Sequence, residues 1–231
     1  LYQKYNQQYG IYPNASLIKS ILFNTARDLG PTGPDYIYGF GKPDVYRAVK
    51  TVNDNLFYEN NSTQDAVDTK NILVPNNITQ LKVTLSWTDK EGSPVADKAI
   101  VNNLDLKVVT PSGDTILPWK LNPNNPRIIA LRGVDNINNN EQLTLDNPIS
   151  GNYTIVVKGT SVPFGPQNYA VSYYFQERKV ELTFPNGGEL IDPGTALIRW
   201  NNNGIDSVSR IEFSADSGAT WQLVVNNQPL K

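Results

Sequence analysis

The chain contains no cysteine, no histidine and no methionine among its 231 residues. Without cysteine it has no disulfide, no thiol nucleophile and no zinc–thiolate site. Without histidine it cannot assemble a Ser-His-Asp triad from its own side chains. Because the sequence opens on Leu1 and lacks an initiator methionine, we expect a fragment or a processed product.

Charged residues are also scarce, at 18% of the chain. The 20 basic and 22 acidic side chains nearly balance, which leaves a formal net charge of −2. Nucleic acids and anionic membrane surfaces are bound by basic patches, so neither is expected as a partner. No apolar run approaches the roughly 20 residues that span a bilayer. The sequence shows no secretory signal peptide.

The middle of the chain predicts β-structure. In residues 81–87 (LKVTLSW) apolar and polar side chains alternate, which is the period-2 pattern of a half-buried strand. Residues 104–110 alternate in the same way and end at a turn signal, Pro-Ser-Gly, at 111–113. Further strands are predicted between turn signals at 72–74, 127–131, 141–145, 151–159 and 168–175. This spacing favours an antiparallel β-sandwich or jelly roll.

Residues 1–50 are predicted to be helical. Pro13 and Asn14 suit a helix start. Five residues then follow the spacing of one buried helical face: Leu17, Ile18, Ile21, Leu22 and Thr25. A last short helix is predicted at 43–50, with three side chains directed inward: Val45, Ala48 and Val49.

Two parts of the chain resemble subtilisin-like serine proteases (subtilases). The phrases SWTD and VNNLDLKVVTPSG, with SGNYTIVVKGTSVPFGPQNYAVSY at 150–173, are similar to the β-sandwich that follows the protease domain in one branch of that family. The phrases PNASLIKSILFNTARDLG and YGFGKPDVYRAV resemble the end of its catalytic domain. The family's nucleophilic serine lies in a G-T-S-x-A-x-P phrase, which is absent here.

A third resemblance begins near Lys179. The phrases PNGGE, IRW and SADSGATW are similar to the opening of immunoglobulin-like or fibronectin type III-like modules of secreted bacterial enzymes. Trp200 would then be the buried core tryptophan, and residues 216–218 a hairpin turn. Only about 50 residues remain, short of the ~100 of a full sandwich, so we expect an incomplete or reduced module.

Together these patterns predict a mainly β protein in three parts. Residues 1–55 would be the last helices of a subtilase α/β catalytic domain, and residues 56–178 an antiparallel, P-domain-like jelly-roll β-sandwich. Residues 179–231 would be a partial immunoglobulin-like module.

The resemblance implies a C-terminal piece of a secreted, bacterial subtilisin-like endopeptidase. The piece would brace the protease domain, its missing N-terminal partner on the same or a cleaved chain, and the parent would act on peptide or protein substrates. The chain by itself is expected to be inactive, since it has neither histidine nor the serine phrase. The alternative is an extracellular array of β-modules that binds glycan or protein without hydrolysis.

The polar loop between the two central strands predicts a metal site. The loop and its flanking strand ends carry oxygen-bearing side chains of the kinds that Ca²⁺ prefers: Asp89, Asp97, Asn102, Asn103 and Asp105. Subtilases with this sandwich often bind calcium there. The spacing is not that of an EF-hand, so a solvated loop with turn-capping Asn side chains remains the alternative. A weaker acidic cluster lies at 135–141.

Several aromatic residues raise the alternative of a glycan-binding platform: Trp87, Trp119, Tyr169, Tyr173 and Tyr174. Core packing is the favoured interpretation, because large aromatic side chains commonly fill sandwich cores. Tyr173 and Tyr174 are adjacent on a predicted strand and should therefore face opposite sides of it.

Overall fold

A computed structural model describes residues 1–191, 194, 197–205 and 208–229. Three helices open the chain: α1 (Tyr2–Tyr9), α2 (Ala15–Thr25) and α3 (Val45–Asn53). Ten strands follow: β1 (Phe57–Ser62), β2 (Val67–Val74), β3 (Ile78–Trp87), β4 (Asn103–Val109), β5 (Thr115–Ile116), β6 (Trp119–Lys120), β7 (Leu131–Arg132), β8 (Asn140–Asp146), β9 (Gly151–Ser161) and β10 (Gln167–Glu177). The last four are β11 (Lys179–Phe184), β12 (Arg199–Asn203), β13 (Val208–Phe213) and β14 (Gln222–Pro229). The prediction of a mainly β fold is confirmed.

The chain divides into two compact units, Leu1–Phe175 and Gln176–Lys231. In the first unit, one sheet has the order β1-β10-β3-β8 and the other has the order β2-β9-β4-β5. We name them sheet A and sheet B. Successive strands β1 to β4 alternate between the two sheets, and β8, β9 and β10 do so again. With the short pair β6–β7 set aside, this is the strand arrangement of a jelly roll.

The sandwich core lies between sheets A and B. Strand β3 supplies Leu81, Val83, Leu85 and Trp87, and each of these side chains is almost wholly buried. Sheet B contributes side chains that alternate along β4 and β9: Leu104, Leu106, Val108, Tyr153, Ile155 and Val157. Their period of two directs one face of each strand into the core.

The outer face of sheet A is covered by helices, which corrects one expectation. Residues 81–87 were expected to expose their polar side chains, yet Lys82, Thr84 and Ser86 are all buried. Helix α2 packs on this face, and a second apolar cluster forms there from Tyr5, Leu17, Ile21, Ala48, Val52 and Ala170. The alternating pattern located the strand correctly, but alternation does not show whether the polar face meets water or a polar helix.

The predicted buried face of α2 is largely confirmed. Leu17, Ile21 and Thr25 are buried, while Ile18 and Leu22 are half-buried.

On α3 the expected inward face is partly wrong. Val45 is 62% exposed, and the buried side runs through Arg47, Ala48, Thr51 and Val52. Arg47 is drawn inward because its guanidinium pairs with Asp44, the residue that caps the helix. The buried face is thereby rotated away from Val45.

The strand predicted at 127–131 is also wrong, except for its last residue. Residues 127–130 are outside any strand, and only Leu131 belongs to β7. The N–H of Ile128 bonds to the carbonyl of Asn125 in a turn, so these residues are not aligned along a sheet edge. The polar stretch 51–70, in contrast, contains β1 and the first part of β2, which its composition did not reveal.

In the second unit, β11 pairs with β12 and β13 pairs with β14, both antiparallel. The turn predicted at 216–218 lies between β13 and β14, where Asp216 accepts hydrogen bonds from the N–H and the hydroxyl of Thr220. Trp200 is only half-buried, which corrects the expectation of a buried core tryptophan. In the described part of this unit the strands form two two-stranded sheets. Trp200 lines an open groove there, together with the exposed Trp221. The three-part domain division and the immunoglobulin-like assignment stay predictions.

Across the described ranges, no helix is both long and apolar enough to cross a membrane.

Candidate functional site

Asp89, the first of the predicted metal ligands, anchors the loop between β3 and β4. Its carboxylate accepts hydrogen bonds from the N–H groups of Lys90, Val101 and Asn102, at 2.7 to 2.9 Å. The two ends of the loop are thus held by one side chain. These bonds occupy oxygen lone pairs that a cation would otherwise use.

Asn102 joins this loop to the loop between β9 and β10. Its amide donates to the carbonyl of Phe164 and to the Gln167 side chain, and its Oδ1 accepts from the N–H of Phe164. The residue is 1% exposed. Its hydrogen-bonding capacity is therefore largely used within the protein.

The remaining candidate ligands are less engaged. Asn103 Oδ1 is buried and accepts no hydrogen bond from any described residue, and its amide lies 3.5 Å from Asp105 Oδ1. Asp97 is exposed on the loop. No group of three or more acidic side chains with metal-binding geometry occurs among the residues that the structure describes. Asp89 and Asn102 fit a bound cation poorly, and calcium binding stays a prediction.

In the second acidic cluster, Asp135 and Glu141 have different structural roles. Asp135 is buried and caps its own loop, accepting from the N–H groups of Ile137 and Asn138. Glu141 is 1% exposed on the edge strand of sheet A, and its Oε2 accepts from the N–H of Leu106 in sheet B. Burial raises the pKa of the Glu141 carboxyl well above its usual range. The nearby carboxylates of Asp105 and Asp135 add to that increase.

The candidate platform aromatics mostly pack inside the protein. Trp87 and Tyr169 are each 1% exposed in the sandwich core, as the core interpretation predicts. Tyr173 packs against that core. The Arg47 guanidinium lies 5.1 Å from the ring of Tyr174, on the helix side. The two adjacent tyrosines therefore face opposite sides of the strand, as expected.

A buried polar layer between α2 and sheet A was missed by the sequence analysis. Ser20 Oγ lies 2.7 Å from Ser172 Oγ and donates to the carbonyl of Thr84 at 2.8 Å. The Gln142 amide donates to the carbonyl of Phe23, and Asn24 bonds to the Thr84 hydroxyl at 3.0 Å. We call these six residues the polar seam. The signal was present, because Ser20 and Asn24 are four residues apart and share one helical face.

Lys82 lies at the end of the polar seam. Its ammonium donates to the carbonyl of Ala26, just past the end of α2, at 2.9 Å. Burial lowers the pKa of Lys82 to about 8, although the negative charge of Asp28 opposes this shift.

Trp119 connects the helical segment to the sandwich at a second place. Its ring lies against Gly33, and the Arg132 guanidinium stacks on it at 3.5 Å from the ring centroid. The indole N–H donates to the hydroxyl of Thr144 in sheet A, and Arg132 donates to the carbonyl of the same threonine. Trp119 is therefore a packing residue with a stacked cation, rather than a free platform.

Comparison with known proteins finds relatives whose names include a serine protease. The chain is 28% identical over 193 residues to the serine protease/ABC transporter B family protein tagA of Dictyostelium discoideum, covering 73% of this chain and 10% of that protein. It is 29% identical over 100 residues to tagB of the same organism and family name, covering 41% and 5%. The chain thus spans a tenth or less of these relatives. The similarity supports a protease-associated region.

No protein-family model matches the chain. Among solved structures, a Bacillus licheniformis lipase, BlEst2 in propeptide form, matches with a TM-score of 0.33 and 9% identity, over 53% of this chain and 22% of that one. The Aeromonas hydrophila lysozyme inhibitor PliG matches with a TM-score of 0.27 and 20% identity, over 51% and 84%. TM-scores of this size do not indicate a shared fold.

Proposed function

We propose that this chain is the C-terminal part of a secreted subtilisin-like serine endopeptidase, in which the jelly roll braces the protease domain. The observation that carries the proposal is the helical segment of residues 1–53. It is joined to the sandwich by a buried interface, and it also exposes many apolar and aromatic side chains. The protease-named relatives and the resemblance of residues 13–49 to the end of a subtilase domain support the same conclusion.

The buried interface explains how a sandwich could stiffen a protease. The polar seam, Lys82 and Trp119 join the helices to sheet A at three places within one compact unit. Buried hydrogen bonds have strict geometry, and each costs free energy when it is broken. A domain that contained α2 would therefore be held firmly by the jelly roll.

The exposed side chains supply a surface for the rest of that domain. Ten large apolar or aromatic side chains between residues 2 and 46 are at least 38% exposed: Tyr2, Tyr9, Ile11, Tyr12, Leu29, Tyr36, Ile37, Tyr38, Val45 and Tyr46. So many exposed apolar side chains within one short segment are typical of a surface that a partner covers. The partner we propose is the remainder of the protease domain.

In this proposal the chemistry belongs to the partner. A subtilase hydrolyses peptides by acyl transfer through a Ser-His-Asp triad and an oxyanion hole. The present chain holds no histidine and would contribute stability rather than catalytic groups.

The first test reads the encoding gene ahead of Leu1 and produces the whole protein. We expect a G-T-S-x-A-x-P phrase upstream and peptide hydrolysis that is lost when its serine is replaced by alanine. Deleting residues 56–175 should shorten the half-life of that activity on heating. A gene without the serine phrase upstream would contradict the proposal.

A second test examines the exposed surface of the helical segment. In the whole protein, Tyr12→Ser and Ile37→Ser should lower the melting temperature, because both side chains would be buried against the protease domain. In the isolated 231-residue chain they should change it little, since both are exposed there. Leu73→Ser is the matched control, because Leu73 is 67% exposed on the sandwich and should behave alike in both proteins. Equal effects in the two proteins would argue against a covered surface.

A further inference from the structure

A polar cavity of about 360 Å³ lies where α2 begins, beside the loops that Asp89 and Asn102 hold together. Its lining includes Asn14, Ser16, Lys90, Asn102, Phe164 and Gln167. The α2 helix, the loop after β3 and the start of β10 each contribute to it, so its shape is fixed by three elements of the first unit.

The N-terminus of α2 has unused hydrogen-bond donors. Asn14 occupies the capping position, but its side chain makes no capping bond and its amide donates to Glu59 instead. Among the described residues, none accepts a hydrogen bond from the N–H of Ala15 or Ser16. Both residues line the cavity. The first N–H groups of a helix carry partial positive charge and favour anions.

Ser16 gives an independent indication of a ligand. The residue is only 7% exposed and lines the cavity. Its hydroxyl makes no hydrogen bond to any part of the chain that the structure describes, although Ser20, one turn later on the same face, makes two. A polar side chain on a residue so little exposed normally has a hydrogen-bond partner. A bound group in the cavity would supply that partner.

Two charged residues, Asp89 and Lys90, line the cavity, and they differ in whether their charge is already used by other groups of the protein. The carboxylate of Asp89 already accepts three backbone N–H groups, which disperses its negative charge. The ammonium of Lys90 lies 4.3 Å from the centroid of the exposed Phe164 ring and has no carboxylate partner within the described ranges. Lys90 is therefore the charge that is free to meet a ligand at this site.

We propose that this cavity binds a carboxylate group. One carboxylate oxygen would accept from the Ser16 N–H and hydroxyl, and the ammonium of Lys90 would pair with the negative charge. The Phe164 ring would pack against whatever apolar part follows the carboxylate. The carboxylate could come from a small organic acid or from the C-terminus of a peptide. The inference does not depend on the proposed protease, because the cavity is formed within the described chain.

The experiment uses the 231-residue protein and three probes, followed by amide chemical shifts in NMR titrations. The probes are N-acetyl-alanyl-alanine, the same dipeptide with a C-terminal amide, and acetate. We expect saturable shifts at Ala15, Ser16 and Lys90 with the free-acid dipeptide and not with the amide. Binding of acetate as tight as that of the dipeptide would support the cavity and identify a small acid as the source. Weaker acetate binding would identify a peptide C-terminus.

Variants distinguish binding of the probe in the cavity from its nonspecific electrostatic attraction to the protein. Ser16→Ala and Lys90→Gln should each weaken binding of the dipeptide by about tenfold, as expected for a lost hydrogen bond to a charged group. Lys98→Gln is the matched control, because Lys98 lies on the same loop but does not line the cavity. Equal binding of acid and amide, equal loss in the control, or no binding at millimolar concentrations would each overturn the proposal.

Discussion

The ammonium nitrogen of Lys82 lies 2.9 Å from the carbonyl oxygen of Ala26, so a cation on β3 binds the chain just past the end of α2. Ala26 itself is 3% exposed. The contact places an ionisable group inside the interface between the helices and the sandwich. The stability of that interface should therefore depend on pH.

The direction of this dependence follows from the pKa of Lys82. In the folded protein it is about 8, below the ordinary value of 10.5 that applies to the unfolded chain. Between these pH values the unfolded chain binds more protons, so the free energy of unfolding rises with pH, by at most about 3 kcal/mol. Urea denaturation across this window should show the rise.

Lys82→Met should remove most of the increase in the free energy of unfolding with pH, even though it also removes the hydrogen bond to Ala26. Lys107→Met is the control, because Lys107 is exposed on β4. A variant at position 82 with the same pH slope as the parent protein would show that other groups cause the dependence.

The polar seam should behave as a coupled unit. Ser20→Ala removes bonds to Thr84 and Ser172, and we expect it to lower the free energy of unfolding by about 1–2 kcal/mol. In the Ser20→Ala background, Ser172→Ala should lower the free energy of unfolding by less than it does in the parent protein, because the Ser172 hydroxyl has already lost its partner there. Ser161→Ala, on an exposed residue, serves as the control for the effect of the substitution itself. Strict additivity in the double-mutant cycle would mean that the two hydroxyls do not interact.

Sequence patterns predicted the strands of the core well, since Leu81, Val83 and Leu85 alternate with polar residues. Alternation on β3 could not predict the seam, because Thr84 has the same polarity whether it faces water or Asn24. The available signal was on α2, where Ser20 and Asn24 share one helical face. The metal prediction illustrates a similar ambiguity: Asp89 is an oxygen ligand by type, yet its oxygens are used by backbone N–H groups. Such pairings join a strand to a different segment of the chain, as Thr84 to Asn24 and Asp89 to Val101. Alternation within one segment carries no information about them.

Gly33 should be required for the packing of Trp119. A Cβ at this position would lie 2.9 Å from Cδ2 of the indole, and the backbone has φ of +90°. Gly33→Ala therefore combines backbone strain with a clash. Gly39→Ala isolates the strain, since Gly39 has φ of +62° and nothing within 4 Å of its Cβ position.

We expect Gly33→Ala to lower the free energy of unfolding by about 1–3 kcal/mol more than Gly39→Ala does. Thermal and urea denaturation of the two variants would measure the difference. Equal losses would indicate that the Trp119 ring moves aside at little cost.

Asp89 allows the structural role of the loop to be separated from calcium binding. Asp89→Ala leaves three backbone N–H groups without their acceptor, so we expect a loss of about 3 kcal/mol in the free energy of unfolding, even with EGTA present. If the loop also binds Ca²⁺ through Asn103 and Asp105, calcium should raise the melting temperature of the parent protein. Asp105→Asn should remove that increment and leave stability in EGTA nearly unchanged. Should Asp89→Ala match the parent protein in EGTA and differ only when calcium is added, the carboxylate of Asp89 would be a metal ligand rather than an anchor of the loop.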